Sequence, residues 1–126
     1  MKSFSSFSNN LYTIPKSQTD KKLYPFCKEN KQKVIVAVQG LGFVGTAMSL
    51  VIANAPKKQF AVLGVDLKSK NSYWKIEDIN NGVLPISSSD KLLEKYFNNA
   101  LKEKNFLATY DLKSYSMADI IIIDIN

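Results

Sequence analysis

The chain has no arginine, no histidine and a single cysteine. Without histidine, no Ser-His or Cys-His nucleophile pair can be assembled from these residues. A lone thiol, Cys27, excludes an intramolecular disulfide and a cysteine-rich zinc site, so no metal centre is expected. Long apolar runs are also missing, and nothing approaches the length of a transmembrane helix. Met1 to Asn10 holds a lysine but no continuous apolar stretch of the secretory kind. These absences lead to the expectation of a cytoplasmic, reducing setting with no membrane partner.

The missing arginine also bears on charge. The net charge is +6, with lysine as the only basic residue. Residues 1–33 hold seven of the 17 lysines against only Asp20 and Glu29, whereas the remainder is close to neutral. The basic character therefore belongs to a leader and not to a folded face, which argues against a nucleic-acid partner. At 126 residues the chain fits one compact domain with enough apolar content for a core. Residues 1–32, rich in Ser, Asn, Lys and Gln, read as a flexible basic leader or a peripherally packed one, with Phe4, Phe7, Tyr12, Tyr24 and Phe26 available to dock it. Residues 33–126 read as the domain.

What is present begins with Val34-Ile35-Val36-Ala37-Val38-Gln39, a nearly unbroken apolar run that suits a parallel strand covered on both faces. It leads directly into Gly40-Leu41-Gly42-Phe43-Val44-Gly45, a G-x-G-x-x-G sequence. A helix is expected over residues 44–54, ended by Pro56. A second apolar strand, Phe60–Val65, ends on Asp66. That order is the fingerprint of a dinucleotide site: Gly40 for the tight turn, Gly42 to leave room for the diphosphate, Gly45 for close helix packing, and the acid for a ribose hydroxyl. The amides at the helix start would meet the phosphates. A carboxylate at Asp66 repels a 2′-phosphate, so NAD is favoured over NADP, although Lys68 and Lys70 follow closely.

Further along, a helix is expected over residues 70–80 with Trp74 and Ile79 inward and Gly82 as its left-handed cap. Ser88 or Ser89 is expected to cap a helix from about Asp90 to Lys104, with Leu92, Leu93, Tyr96, Phe97 and Leu101 on its apolar face. A short strand follows at Phe106–Thr109, then a brief helical turn capped by Asp111 and running through Tyr115. Ile120-Ile121-Ile122-Ile123 reads as a central buried strand within residues 118–125. The alternation predicts an α/β fold, a Rossmann-like parallel sheet with flanking helices that reads as incomplete at the C-terminus. Its last strand is placed beside the first, opposite the second. Asp119 and Asp124 flank that strand, equally readable as boundary or functional residues. On the residues alone, Asn80-Asn81-Gly82-Val83-Leu84-Pro85-Ile86 reads as a turn.

The series Gly-Leu-Gly-Phe-Val-Gly, Val-Leu-Gly-Val-Asp66, Ile79-Asn80-Asn81-Gly82-x-x-Pro85-Ile86, Thr109-x-Asp111 and Ala118-Asp119-Ile120-Ile121-Ile122, in this order, resembles the start of the UDP-glucose/GDP-mannose dehydrogenase family. The resemblance spans about residues 33–126. It implies an NAD-dependent oxidation of a nucleotide-sugar hexose C6 hydroxyl to a carboxylate, with two NAD per turnover, serving surface-polysaccharide precursors. It implies cofactor contacts at Gly40, Leu41, Gly42, Phe43, Val44, Gly45 and Asp66, with Lys70 assisting. The family's catalytic thiol, catalytic lysine, dimerising helix and sugar domain lie further along a longer chain. These residues therefore read as a truncated NAD-binding part, inactive alone, able to self-associate through its last strand edge. Alternatives are another NAD-dependent dehydrogenase of the hydroxyacid or 6-phosphogluconate type, a non-catalytic nucleotide-binding or interaction module, and an S-adenosylmethionine methyltransferase. The Asn-Asn-Gly-x-x-Pro-Ile stretch disfavours the first, and the third glycine disfavours the last.

Overall fold

The computed structural model describes residues 1–124. Two short strands, β1 (Lys2–Phe4) and β2 (Leu11–Thr13), are followed by α1 (Leu23–Glu29), β3 (Val34–Gln39), α2 (Phe43–Ala53), β4 (Phe60–Val65), α3 (Tyr73–Asn80), α4 (Lys91–Glu103), β5 (Phe106–Thr109), α5 (Ser114–Met117) and β6 (Ile120–Ile123). Strands β3 to β6 form one parallel sheet in the order β5-β4-β3-β6. This is the Rossmann-like arrangement, and the last strand lies beside β3 on the side away from β4, as the alternation predicts.

The central strands are apolar along their whole length because both of their faces are covered. One face carries α2, α3 and α4 over a core that includes Val36, Val38, Leu50, Ile76, Ile79 and Phe97. The other packs Ile35, Ala37, Ala61, Leu63 and Val65 against Leu23 and Phe26 of α1. Each large aliphatic side chain so buried contributes about 1.5–3 kcal/mol. The amphipathic spacing of α4 turns Leu93, Phe97 and Ala100 inward.

Several expectations are corrected. The isoleucine strand β6 sits at the sheet edge, and Ile120, Ile121 and Ile123 are about half exposed rather than centrally buried; residues 125–126 of the expected strand lie outside the described residues. Helix α3 begins at Tyr73, because Ser69 to Ser72 form a turn in which the Tyr73 amide donates to the Ser69 carbonyl. Tyr73, Ile76 and Ile79 take the inward positions, while Trp74 stacks on Phe7. Asp90, not a serine, caps α4, accepting from the Leu92 amide, while Ser88 accepts from the Asp90 amide. Asp111 does anchor the turn into α5, accepting from the Lys113 amide at 2.9 Å, but the helical residues run on to Met117.

The leader is built as structure rather than as an unattached tail. The two strands pair antiparallel, with Ser3 opposite Tyr12. The fully buried carboxylate of Asp78 on α3 accepts from the hydroxyls of Ser5, Ser8 (2.7 Å) and Tyr12 (2.6 Å). Ser3 donates to the Lys70 carbonyl and accepts from the Trp74 amide. Composition hides this because the contacts are hydroxyl-to-carboxylate pairs, which look like any polar tract until a buried acceptor is placed beneath them.

Candidate functional site at the carboxyl ends of β3, β4 and β6

The strand register sets three residues side by side. Gln39 is level with Val65 on one side and with Ile123 on the other. The next residues out are Gly40, Asp66 and Asp124. They line a cleft of about 310 Å³ together with Gln39, Val65, Leu67, Leu112 and Tyr115. A crevice at the carboxyl ends, where the crossovers depart in opposite directions, is where open α/β sheets bind ligands.

The glycine turn is shaped by three different requirements. Gly40 has φ +104°, a backbone that side-chain-bearing residues rarely adopt. A Cβ on Gly45 would lie 2.1 Å from the Gly40 carbonyl oxygen, so the first turn of α2 rests directly on the strand exit. A Cβ on Gly42 would meet nothing within 4 Å. Nothing among the described residues demands a glycine there. Gly42 also occupies the cap position of α2 with no side chain to satisfy the helix start. The first backbone bond of the helix runs from Thr46 to Gly42, which leaves the amides of Phe43, Val44 and Gly45 without a protein acceptor among the described hydrogen bonds. Phe43 and Val44 are about half exposed. An anion is the partner such a helix start accepts best.

Leu41 acts from below. Its side chain is fully buried, fitting a notch in β4 where a Cβ on Gly64 would come within 2.5 Å of it. Thr46 donates to the Leu41 carbonyl and Ser49 to that of Gly45. The turn is therefore fixed from the core side, next to the Gly40 and Asp66 edge of the cleft.

Asp66 is held by the same turn. One carboxylate oxygen accepts from the Leu41 amide at 2.9 Å, the other from the Leu67 amide at 2.7 Å. Each oxygen keeps a lone pair for an outside donor. Burial, and then the charge of Asp66, push the Tyr115 hydroxyl above its ordinary range. Tyr115 therefore stays a neutral phenol beside that carboxylate. Leu67 and Leu112, both about two-thirds exposed, form apolar walls of the cleft.

The structure thus brings Gly40 and Asp66 into the cleft, with Leu41 beneath the turn and Gly42, Phe43, Val44 and Gly45 continuing it. It does not bring Lys70 there: this residue is exposed and outside the cleft lining. Lys68 is occupied elsewhere. Its ammonium donates to the carbonyls of Pro15, Lys16 and Ser17, each at 3.0 Å, and lies over the Tyr110 ring. Asp119 exchanges bonds with the Ile35 backbone and acts as a strand-boundary residue. Asn80 donates to the Ala108 carbonyl and accepts from its amide, a side chain extending the sheet along β5. Leu67, Leu112 and Tyr115 were not foreseen as part of the site. Their signal is positional only, since each follows a strand end, and the loop lengths do not reveal which residues turn inward. Cys27, on α1, packs against the opposite core cluster.

This end of the sheet thus offers unpartnered amides, open space at Gly42, a carboxylate set by two amides and apolar walls. A model of the UDP-glucose/GDP-mannose dehydrogenase family, NAD binding domain, matches residues 34–126. Among solved structures, an NDP-N-acetyl-D-galactosaminuronic acid dehydrogenase from Methanosarcina mazei Go1 superposes with a TM-score of 0.68 at 30% identity over 86% of this chain. The chain spans 22% of the length of that protein. Comparison with curated protein sequences gave no match. The chain belongs to the UDP-glucose/GDP-mannose dehydrogenase family, and residues 34–126 are its NAD-binding domain.

Proposed function

We propose that these residues hold NAD for the oxidation of a nucleotide-sugar hexose at its C6 hydroxyl to a carboxylate. The observation that carries the reading is the pairing of a glycine turn offering free amides with Asp66, which is bonded to that same turn. In this reading the amides of Gly42, Phe43, Val44 and Gly45 receive the diphosphate. Asp66 accepts from the adenosine ribose, and Leu67, Leu112 and Tyr115 receive the adenine. NAD, when bound, supplies the hydride acceptor. The residues of this chain bind and orient it, and a turn already fixed from the core side keeps the ordering cost low.

Family membership supports the nucleotide-sugar class, as does the nucleotide-linked sugar acid in the name of the Methanosarcina protein. A part in making sugar acids for surface polysaccharide follows from the same reading. The cleft holds no thiol, lysine or histidine, so residues 1–126 by themselves are expected to bind cofactor without turning over a nucleotide sugar. The exposed isoleucines of β6 give a strand edge through which copies could associate. Lys68, captured by backbone carbonyls, leaves Asp66 to repel a 2′-phosphate, which favours NAD over NADP.

Calorimetric titration with NAD and NADP tests the reading. NAD should bind more tightly than NADP, and Asp66→Ala should weaken NAD about tenfold or more, the scale of losing charge-assisted hydrogen bonds. A folded chain that ignores NAD, or an Asp66→Ala variant that binds it as well as wild type, would refute the assignment.

A further inference from the structure

Two carboxylates stand at the rim of the cleft, one on each side of the glycine turn. Asp66 follows β4, Asp124 follows β6, and the register places both one residue beyond the level of Gln39. They differ in what they do within the protein. Both oxygens of Asp66 are engaged by backbone amides. Asp124 is fixed by its own amide, which donates to the Gln39 carbonyl. Its carboxylate accepts no hydrogen bond and meets no lysine among the described residues. It lies against the turn instead: its Oδ2 is 3.3 Å from where a Gly45 Cβ would stand and 3.8 Å from that of Gly40. The charged and titratable groups that share the cleft with it are Asp66 and Tyr115. Among the described residues no cationic side chain lines the cleft to offset this negative charge, which lies at the start of α2 beside the turn read above as receiving an anion.

Such a placement opposes a diphosphate and needs a reason on the ligand's side. A dinucleotide laid across the three strand ends supplies one. If its adenosine half lies on the Asp66 side, its other half must lie on the Asp124 side. In oxidised NAD that half carries a positive pyridinium ring; in NADH the ring is neutral and the phosphates are unchanged.

We propose that Asp124 discriminates the redox state of the cofactor, favouring oxidised NAD over NADH through its charge. This rests on the reading of the glycine turn and Asp66 as the cofactor site. Asp124 opposes both forms equally at the diphosphate and attracts only the ring of the oxidised form. An oxidising dehydrogenase gains by this, because it holds its used cofactor less tightly than the fresh one.

The test is the ratio of NADH to NAD dissociation constants, measured by calorimetry on the whole chain, with ADP-ribose as a probe that has the diphosphate but no ring. Wild type should prefer NAD. Asp124→Asn should reduce that preference about tenfold, the size of one charge pair in partly exposed surroundings. ADP-ribose should bind the variant at least as tightly as wild type. Asp66→Asn should weaken NAD and NADH alike and leave the ratio unchanged. Raising the ionic strength should compress the wild-type ratio without any substitution. An unchanged ratio in Asp124→Asn with ADP-ribose still bound would overturn the role of Asp124 alone. Failure of folded wild type to bind ADP-ribose and NAD would remove the cofactor reading and this inference with it.

Discussion

The glycine turn and the leader are both ordered parts of this molecule, but they are fixed by opposite means. The turn is held by backbone against backbone: α2 rests on the Gly40 carbonyl through the missing side chain of Gly45, and Leu41 plugs the notch left by Gly64. The leader strands are held chiefly by hydroxyls and an ammonium placed on acceptors: three hydroxyls on Asp78, and Lys68 on three carbonyls. Steric contact tolerates no added atom, whereas polar contact tolerates atoms but not the loss of a partner. The first kind of restraint keeps amides at fixed positions for a ligand. The second holds β1 and β2, which form their own two-stranded sheet, against α3.

The largest expected effect comes from breaking the turn. Gly45→Ala places a methyl within 2.1 Å of the Gly40 oxygen, and both partners are backbone, so neither can swing aside. Destabilisation of about 3 kcal/mol or more is expected, at the upper end for overpacking, read as a lowered urea midpoint. Wild-type stability in that variant would mean the close approach is not a restraint.

Next in size is the leader. Asp78→Ala removes the shared acceptor of Ser5, Ser8 and Tyr12, and a cost of about 2 kcal/mol is expected from orphaned hydroxyls. The loss should be local. Trp74 is the only tryptophan and stacks on Phe7 with ring centroids 5.8 Å apart, so its fluorescence reports leader docking. A red-shifted emission with the cooperative unfolding of the sheet retained is the expected result. An unshifted spectrum would show that the leader is held by something other than Asp78.

What the sequence discloses divides along the same line. The sheet order, the turn and the place of Asp66 were legible because apolar runs, glycine spacing and helix periodicity are local signals. The reasons behind individual glycines were only partly legible. Gly40 and Gly45 announced themselves through the motif, but the notch at Gly64 depends on which side chain crosses it, and Leu41 comes from another strand's exit. Asp78 gave no sign at all. In a helical pattern it looks like a solvent-facing acid, and only the leader folding back reveals it as buried. Asp119 and Asp124 were indistinguishable as strand-flanking acids. Register separates them, since Asp119 exchanges bonds with Ile35 at the start of the strand while Asp124 emerges at the cleft. The four isoleucines misled in one respect, because apolar content reports what a strand is suited to touch, not what covers it.

The smallest effect on stability is expected where the comparison is sharpest, within the motif itself. Gly42 has φ −72° and ψ −168°, an extended backbone open to any residue, and its Cβ would enter free space. Gly42→Ala should therefore cost less than about 1 kcal/mol, mainly because alanine is a poorer helix cap than glycine. Its effect on binding should be the reverse, because the methyl would stand where the diphosphate must approach the amides of α2. A drop of about tenfold or more in NAD affinity is expected from even one displaced charge-assisted contact, measured on a variant whose urea midpoint matches wild type. Equal affinity would mean that the diphosphate does not pass over Gly42. A lost midpoint would mean that Gly42 serves the fold, as Gly45 does, and that the two glycines are not the contrasting pair their geometry describes.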